Sequence, residues 1–192
     1  MKILGISASP RKEGNTDYMV NEVLKSAKKE GAEVEFLPMF DKIVLPCKAC
    51  EYCYEHGECA IQDDDAALLF DKMMEADGIV IGSPVYFGNI TSTLKALVDR
   101  EQVLWSQERS FENKVCASIA VGWKWGHNTT LTSIDSFFLT NKGIMVSNGG
   151  VPGLGLMVYA EAKGEAVKDE EAIKGAQELG KIMVNTIKKI KG

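Results

Sequence analysis

The sequence predicts an α/β protein with a doubly wound parallel sheet, and three observations support this prediction. Short runs of apolar residues recur along the chain, which is typical of strands buried on both faces. Longer segments with apolar residues at helical spacing separate these runs. The length of 192 residues suits one domain, at roughly 150 residues per domain. Alternating strands and helices therefore favour a parallel sheet covered by helices on both faces.

The elements follow one another in a regular order. The five strands are predicted at residues 2–6, 33–37, 78–82, 115–121 and 144–147. The first helix contains Tyr18, Met19 and Val23, and the second contains Leu69 and Met73. The other three helices are predicted to start near residues 91, 128 and 169. Five such units suit the flavodoxin-like strand order 2-1-3-4-5. We expect one domain spanning 1–192, with a cysteine-rich loop at 38–63 after the second strand and an irregular, glycine-rich stretch at 148–168.

The composition excludes several classes of function. Hydrophobic residues make up 45% and charged residues 26% of the chain, as in ordinary globular proteins. The net charge of −5 argues against a nucleic-acid binder, which needs a basic surface. No apolar run is long enough to span a bilayer, and the N-terminal run is too short for a signal peptide. We therefore predict a cytoplasmic protein without a nucleic-acid or membrane partner.

The turn after the first predicted strand suits an anion. Its glycine spacing matches neither the dinucleotide-binding turn nor the P-loop. Hydroxyl, amide and guanidinium groups instead surround a helix N-terminus, whose N–H groups and dipole favour a small phosphate monoester. The alternative is that Asn15 or Thr16 merely caps the helix within a polar loop. The predicted anion-binding residues are Ser7, Ser9, Arg11, Asn15 and Thr16.

Glycine and aromatic residues follow the third and fourth predicted strands. Parallel strands end at one edge of a sheet, so these loops and the anion site converge on one crevice. Backbone N–H groups and aromatic surface there suit the flat ring of flavin mononucleotide (FMN). The alternative is that the aromatic residues lie in the core or in an interface. The predicted flavin-contacting residues are Pro84, Val85, Tyr86, Phe87, Gly88, Asn89, Gly122 and Trp123.

Four of the five cysteines lie close together, at Cys47, Cys50, Cys53 and Cys59. The spacing C-x2-C-x2-C-x5-C favours a [4Fe-4S] cluster, as in the similar cysteine run of ferredoxins. Zinc sites more often use two C-x2-C pairs with a longer spacer, but zinc, a redox disulfide or inert thiols stay as alternatives. The second strand is the outer one, so cluster and flavin share an edge without necessarily touching.

Together these motifs resemble the iron-sulfur flavoproteins, a branch of the flavodoxin-like NADPH-dependent FMN reductase superfamily. The resemblance covers nearly the whole chain and is carried by residues 5–11 with Gly14 and Asn15, the cysteine group, and residues 76–90 and 94–100. It implies that the predicted anion site holds the FMN phosphate, that residues 84–90 run beside the flavin ring and that ferredoxin is the electron donor. The loop at 121–128 departs from the family pattern, with Trp123, His127 and Asn128 in place of a glycine and Gln-Glu.

The function predicted from these motifs is electron transfer between a one-electron donor such as ferredoxin and an acceptor, through FMN and a [4Fe-4S] cluster. No catalytic side chain is required, because the cofactors carry the chemistry. One alternative is an NAD(P)H-dependent FMN or quinone reductase with zinc or no metal at the cysteines, and another is a redox or oxygen sensor. We also expect a homodimer or homotetramer in which the cluster of one chain approaches the FMN of another. The alternative is a monomer whose cysteine loop covers its own flavin.

Overall fold

The computed structural model describes residues 1–149 and 154–192 and confirms the predicted sheet order. The strands run parallel in the order β2-β1-β3-β4-β5, and β6 also pairs with β4. Because buried strands need apolar side chains on both faces, β1, β3 and β4 coincide with the apolar runs of the sequence. The strands are Lys2–Ser7 (β1), Glu33–Pro38 (β2), Gly78–Pro84 (β3), Val115–Gly122 (β4), Ile144–Met145 (β5) and Leu156–Tyr159 (β6).

Two short strands share the outermost position beside β4. The lower half of β4 pairs with β5, where Val115 lies opposite Ile144. The upper half pairs with β6, where Gly122 lies opposite Tyr159. The predicted fifth strand at 144–147 is therefore shorter than expected, and the stretch at 148–168 contains a sixth strand and a short 3-10 helix, Glu165–Lys168. Residues 150–153 of this stretch lie outside the described residues.

Seven α-helices connect and cover the described strands. The cysteine loop, predicted to lack regular structure, contains the short helix α2. The last helix starts at the expected place because the Asp169 side chain accepts a hydrogen bond from the Ala172 N–H and caps it. The helices are Asn15–Lys29 (α1), Tyr52–His56 (α2), Ala66–Glu75 (α3), Ser92–Val98 (α4), Gln102–Ser106 (α5), His127–Thr140 (α6) and Glu170–Lys191 (α7).

The core has two layers, one on each face of the sheet. Ile3 and Val80 point towards α1 and α7, whereas Leu4 and Ile79 point to the face that carries α3, α4 and α6. This alternation follows from the two-residue period of a strand. Cys116 lies in the second layer with no exposed surface, as expected for a small buried hydrophobic residue. Of the described helices, none has the length and apolar character needed to cross a membrane.

Candidate functional site

The predicted anion site forms one wall of a cavity of about 210 Å³ at the carboxyl edge of the sheet. Ser9, Arg11, Asn15 and Thr16 all line it. Ser9 Oγ accepts a hydrogen bond of 3.1 Å from the Arg11 N–H, which curls the loop. The first N–H groups of α1 have no partner within the helix and are available to an anion at this end.

Ser7 has a different position from the other predicted anion-binding residues. Its side chain has no exposed surface and does not line the cavity. The Ser7 hydroxyl donates a hydrogen bond of 2.5 Å to Asp17 Oδ1, and Asp17 Oδ2 accepts one of 2.7 Å from the Glu13 N–H. Ser7 and Asp17 therefore support the loop from below, and Asp17 was not among the predicted site residues.

The loop after β6 completes the cavity, and the sequence analysis did not include it. Ala160, Glu161 and Lys163 line the same cavity as Arg11. The Ala160 N–H donates to the Gly122 carbonyl over 2.8 Å, so the loop continues the pairing of β6 with β4. The cavity wall thus carries two cationic side chains and one carboxylate, a balance that favours an anion.

The loops after β3 and β4 supply the other walls. Pro84, Val85 and Tyr86 line the cavity from one side, and Gly122 and Trp123 from the other. A side chain at Gly122 would collide with Val85, because a Cβ atom there would lie 2.8 Å from Val85 Cγ2. Glycine at this position therefore lets the two loops pack closely.

Phe87, Gly88 and Asn89 turn away from this cavity. Backbone hydrogen bonds join Tyr86 and Asn89 in both directions, over 2.8 and 3.1 Å, and close a tight turn. Phe87 and Gly88 both have left-handed φ angles, of 47° and 80°. Phe87 and Gly88 border a second, open cavity with Trp125, and the Phe87 ring is completely exposed.

His127 has a structural role. It is the first residue of α6 and is 3% exposed. Its Nε2 lies 3.0 Å from the Val158 carbonyl oxygen, and its ring packs against Tyr159 at a centroid distance of 4.6 Å. His127 therefore joins α6 to β6.

The four clustered cysteines line one cavity of about 240 Å³, beside Arg100 and the start of α5. All four are unpaired thiols within the part of the chain that the structure describes. Ala49 and Glu51 have left-handed φ angles of 49° and 60°, which bend the chain between the cysteines. The Ala49 N–H donates to Cys47 Sγ over 3.4 Å, as backbone amides do around iron-sulfur sites.

Two aspartates close the base of this cysteine loop. The Leu45 N–H donates to Asp64 over 2.8 Å, and the Ile43 N–H donates to Asp65 over the same distance. Asp65 occupies the N-cap position of α3, but its carboxylate binds the loop instead of the helix. Asp64 Oδ1 accepts a hydrogen bond of 3.1 Å from the Ala66 N–H at the start of the helix.

The residues of each cavity fit the cofactor that the sequence predicts for it, FMN in the first cavity and an iron-sulfur cluster in the second. The first combines cations, helix N–H groups and a tightly packed glycine, which suits a phosphate-bearing planar cofactor. The second offers four thiols, the ligands that iron-sulfur clusters use. No group of three or more His, Cys, Asp or Glu residues in 1–149 and 154–192 is placed to hold a single metal ion. No described residue lines both cavities.

Comparison with known proteins places the chain among flavoproteins. Residues 1–153 match the model of the NADPH-dependent FMN reductase family. An iron-sulfur flavoprotein of Methanocaldococcus jannaschii is 41% identical over the whole of both chains. Another, from Archaeoglobus fulgidus, is 33% identical over 99% of each chain. A flavodoxin from the domain Archaea has the same fold, with a TM-score of 0.63 at 14% identity over 98% of this chain and 99% of its own. The chain therefore belongs to the iron-sulfur flavoproteins of the NADPH-dependent FMN reductase family.

Proposed function

We propose that this protein transfers electrons between a one-electron donor such as ferredoxin and an acceptor, through FMN and a [4Fe-4S] cluster. The observation that carries the proposal is the placement of four thiols around one cavity, at the same sheet edge as a cavity suited to a flavin phosphate. When bound, FMN exchanges two electrons and the cluster exchanges one, so the pair connects one-electron and two-electron partners.

The flavin part of the proposal has the broader support. Family membership indicates a flavin-based redox function with FMN. Arg11 and Lys163 would neutralise the phosphate, and the first turn of α1 at Asn15 and Thr16 would donate its N–H groups. Residues 84–86 and 122–123 would lie beside the ring. Ser7 would act only by holding the loop in shape.

Anaerobic purification tests the proposed cofactors directly. We expect FMN together with about four iron and four sulfide per chain, as a [4Fe-4S] cluster requires. Zinc without sulfide would refute the cluster and favour the NAD(P)H-dependent reductase. The sensor function would be favoured if the protein bound a partner differently with and without the cluster and turned over slowly with every donor. Stopped-flow reduction with ferredoxin, NADH and NADPH in parallel identifies the donor.

The proposal includes a homodimer or homotetramer in which the cluster of one chain faces the FMN of another. The absence of a described residue common to the two cavities supports separate cofactor sites within one chain. Tyr54, Phe87, Trp123 and Trp125 are each more than half exposed, which is typical of aromatic residues that meet a partner.

A mixing experiment tests this arrangement. A chain with Cys50→Ala lacks a cluster ligand, and a chain with Arg11→Ala has a weakened flavin site. Mixed oligomers of the two should regain donor-to-flavin electron flow above the level of either alone. Sedimentation of the parent protein as a monomer would contradict the proposal.

A further inference from the structure

Arg100 lies behind the cysteine loop, directly after α4, and is 4% exposed. It borders the cysteine cavity and also a neighbouring cavity that contains Cys59 and Arg109. Arginine is seldom buried to this extent unless it is paired or bound. The position therefore requires an explanation beyond packing.

The guanidinium of Arg100 binds both ends of the cysteine segment. Its Nη2 donates to the Ile61 carbonyl over 3.0 Å, and Ile61 follows Cys59 by two residues. Its Nη1 lies 3.5 Å from the carbonyl oxygen of Leu45, two residues before Cys47. One side chain from the α4–α5 connection therefore holds together the two chain segments that enter and leave the cysteine group.

Asp64 is the charged partner of Arg100. The two side chains form an ion pair and are 3% and 1% exposed. Burial by itself would raise the pKa of Asp64, but hydrogen bonds from the Leu45 N–H, from Arg100 and from the Ala66 N–H hold that pKa below its usual value. Asp64 is therefore a carboxylate, and the pair contributes almost no net charge while both members are present.

One donor of Arg100 is left over. Its Nε is buried and has no hydrogen-bond partner among the described residues. A buried donor without an acceptor destabilises the folded protein, and the cost in free energy is larger when the donor belongs to a charged group. A cluster held by four thiolates carries net negative charge, because four thiolates outweigh the positive iron-sulfide core. Its sulfur atoms would supply an acceptor in this cavity.

We infer that Arg100 is a positioning residue for the cluster: it shapes the cysteine loop, and its charge balances that of Asp64 in the field that acts on the reduction potential. This inference rests on the proposed function. Gain of one electron makes the cluster more negative, so a nearby positive charge favours the reduced form and a nearby carboxylate opposes it. Removing either member of the Arg100–Asp64 pair should consequently shift the potential, and the two shifts should have opposite signs.

The test compares Arg100→Gln, Asp64→Asn and the parent after anaerobic reconstitution with iron and sulfide. The potential of each cluster is measured at pH 8 by electron paramagnetic resonance with stepwise dithionite reduction. We expect the ratio of reduced to oxidised cluster at a fixed potential to fall about tenfold in Arg100→Gln, a shift of about 59 mV for one electron. In Asp64→Asn it should rise by a similar factor.

A matched control and a conservative variant complete the design. Lys181→Gln removes one positive charge from an exposed position on α7, where Lys181 lies 3.9 Å from the exposed Glu178, and should leave the potential near that of the parent because water screens it. Arg100→Lys keeps the charge but not the planar donor set. It should keep the potential and lose iron and sulfide faster. If Arg100→Gln does not fold, the shift in Asp64→Asn tests the charge effect and the faster loss of iron and sulfide from Arg100→Lys tests the positioning.

The outcomes separate this inference from the proposed function. A parent protein that takes up no iron and sulfide contradicts the proposed function. A parent with a cluster whose potential is unchanged by Arg100→Gln and Asp64→Asn, or is shifted by both in the same direction, overturns the role of Arg100 alone.

Discussion

Asn15 binds Gly164, 149 residues further along the chain, through a hydrogen bond of 2.8 Å from the Gly164 N–H to Asn15 Oδ1. The same oxygen accepts from the Ala166 N–H over 3.2 Å, and Asn15 Nδ2 donates to the Ala162 carbonyl over 2.8 Å. The first residue of α1 thus fixes the loop that carries Lys163. Its carboxamide thereby organises the wall of the cavity that it lines.

Asn15→Ala should loosen that loop and weaken FMN binding. The substitution removes three hydrogen bonds, each worth about 1 kcal/mol, from the loop at 162–166. Hydrogen exchange at the Gly164 and Ala166 amides should accelerate, and the Kd for FMN should rise. Asn21→Ala is the matched control, since Asn21 Nδ2 donates to the Asp17 carbonyl within its own helix. Equal exchange rates in both variants would contradict the role of Asn15.

Arg11→Ala should weaken FMN binding by about 1.5 to 3 kcal/mol, or roughly 10- to 150-fold in Kd, because a charge-assisted hydrogen bond to phosphate is lost. Isothermal titration with the apoprotein measures the change. Lys12→Ala is a suitable control, because Lys12 lies over the Phe40 ring and does not line the cavity. A parent-like Kd in Arg11→Ala would show that Arg11 is only a surface residue.

The sheet and most of the cavity residues could be predicted because they depend on local patterns. β1, β3 and β4 are continuous apolar runs, and the loops that follow them necessarily meet at one edge. β6 was missed although Leu156–Tyr159 is itself an apolar run, because glycines surround it and it has only four residues.

The remaining features depend on contacts between distant residues. Lys163 reaches the cavity only because β6 pairs with β4 and Asn15 holds the following loop. The role of Arg100 depends on segments 36 to 55 residues away in sequence. No spacing pattern within one segment reports such contacts, so a single sequence does not reveal them.

Phe87→Asn should stabilise the protein. Phe87 has a left-handed φ of 47°, a conformation that costs a residue with a bulky side chain about 1 kcal/mol and that asparagine tolerates better. The ring is fully exposed in the single chain, so its removal sacrifices no packing within that chain. Urea unfolding at a concentration at which the chains are dissociated should show a gain of about 1 kcal/mol. Phe87→Ala, which keeps the backbone strain, should show no gain, and equal stability of the two variants would contradict the strain argument.

Phe87→Asn should also weaken self-association. An exposed ring kept at a strained position is explained if it contacts a partner. Sedimentation velocity over a range of concentrations should show a higher dissociation constant for both Phe87 variants than for the parent. If the dissociation constants of both variants equal that of the parent, the Phe87 ring does not lie in the interface.

Asp135 should make the protein less stable as the pH rises from about 4 to 6. Burial raises the pKa of Asp135 to about 6, in spite of the hydrogen bond from Ser118 that opposes the shift. In the unfolded chain the carboxyl group titrates near its ordinary value, so between these two pKa values the folded state binds more protons. The free energy of unfolding therefore decreases with rising pH in this window and levels off above it, by up to about 3 kcal/mol for this group.

Asp135→Asn removes this titration and tests the sign. The Asn carbonyl oxygen can still accept the Ser118 hydroxyl, which donates over 2.6 Å to Asp135 in the parent. The free energy of unfolding of the variant minus that of the parent should become more positive from pH 4 to pH 7, whatever its absolute value. The buried amide of the variant changes stability equally at every pH, so only the pH dependence of the difference in unfolding free energy reports on Asp135. A difference that does not change with pH would mean that this carboxyl group titrates normally in the folded protein.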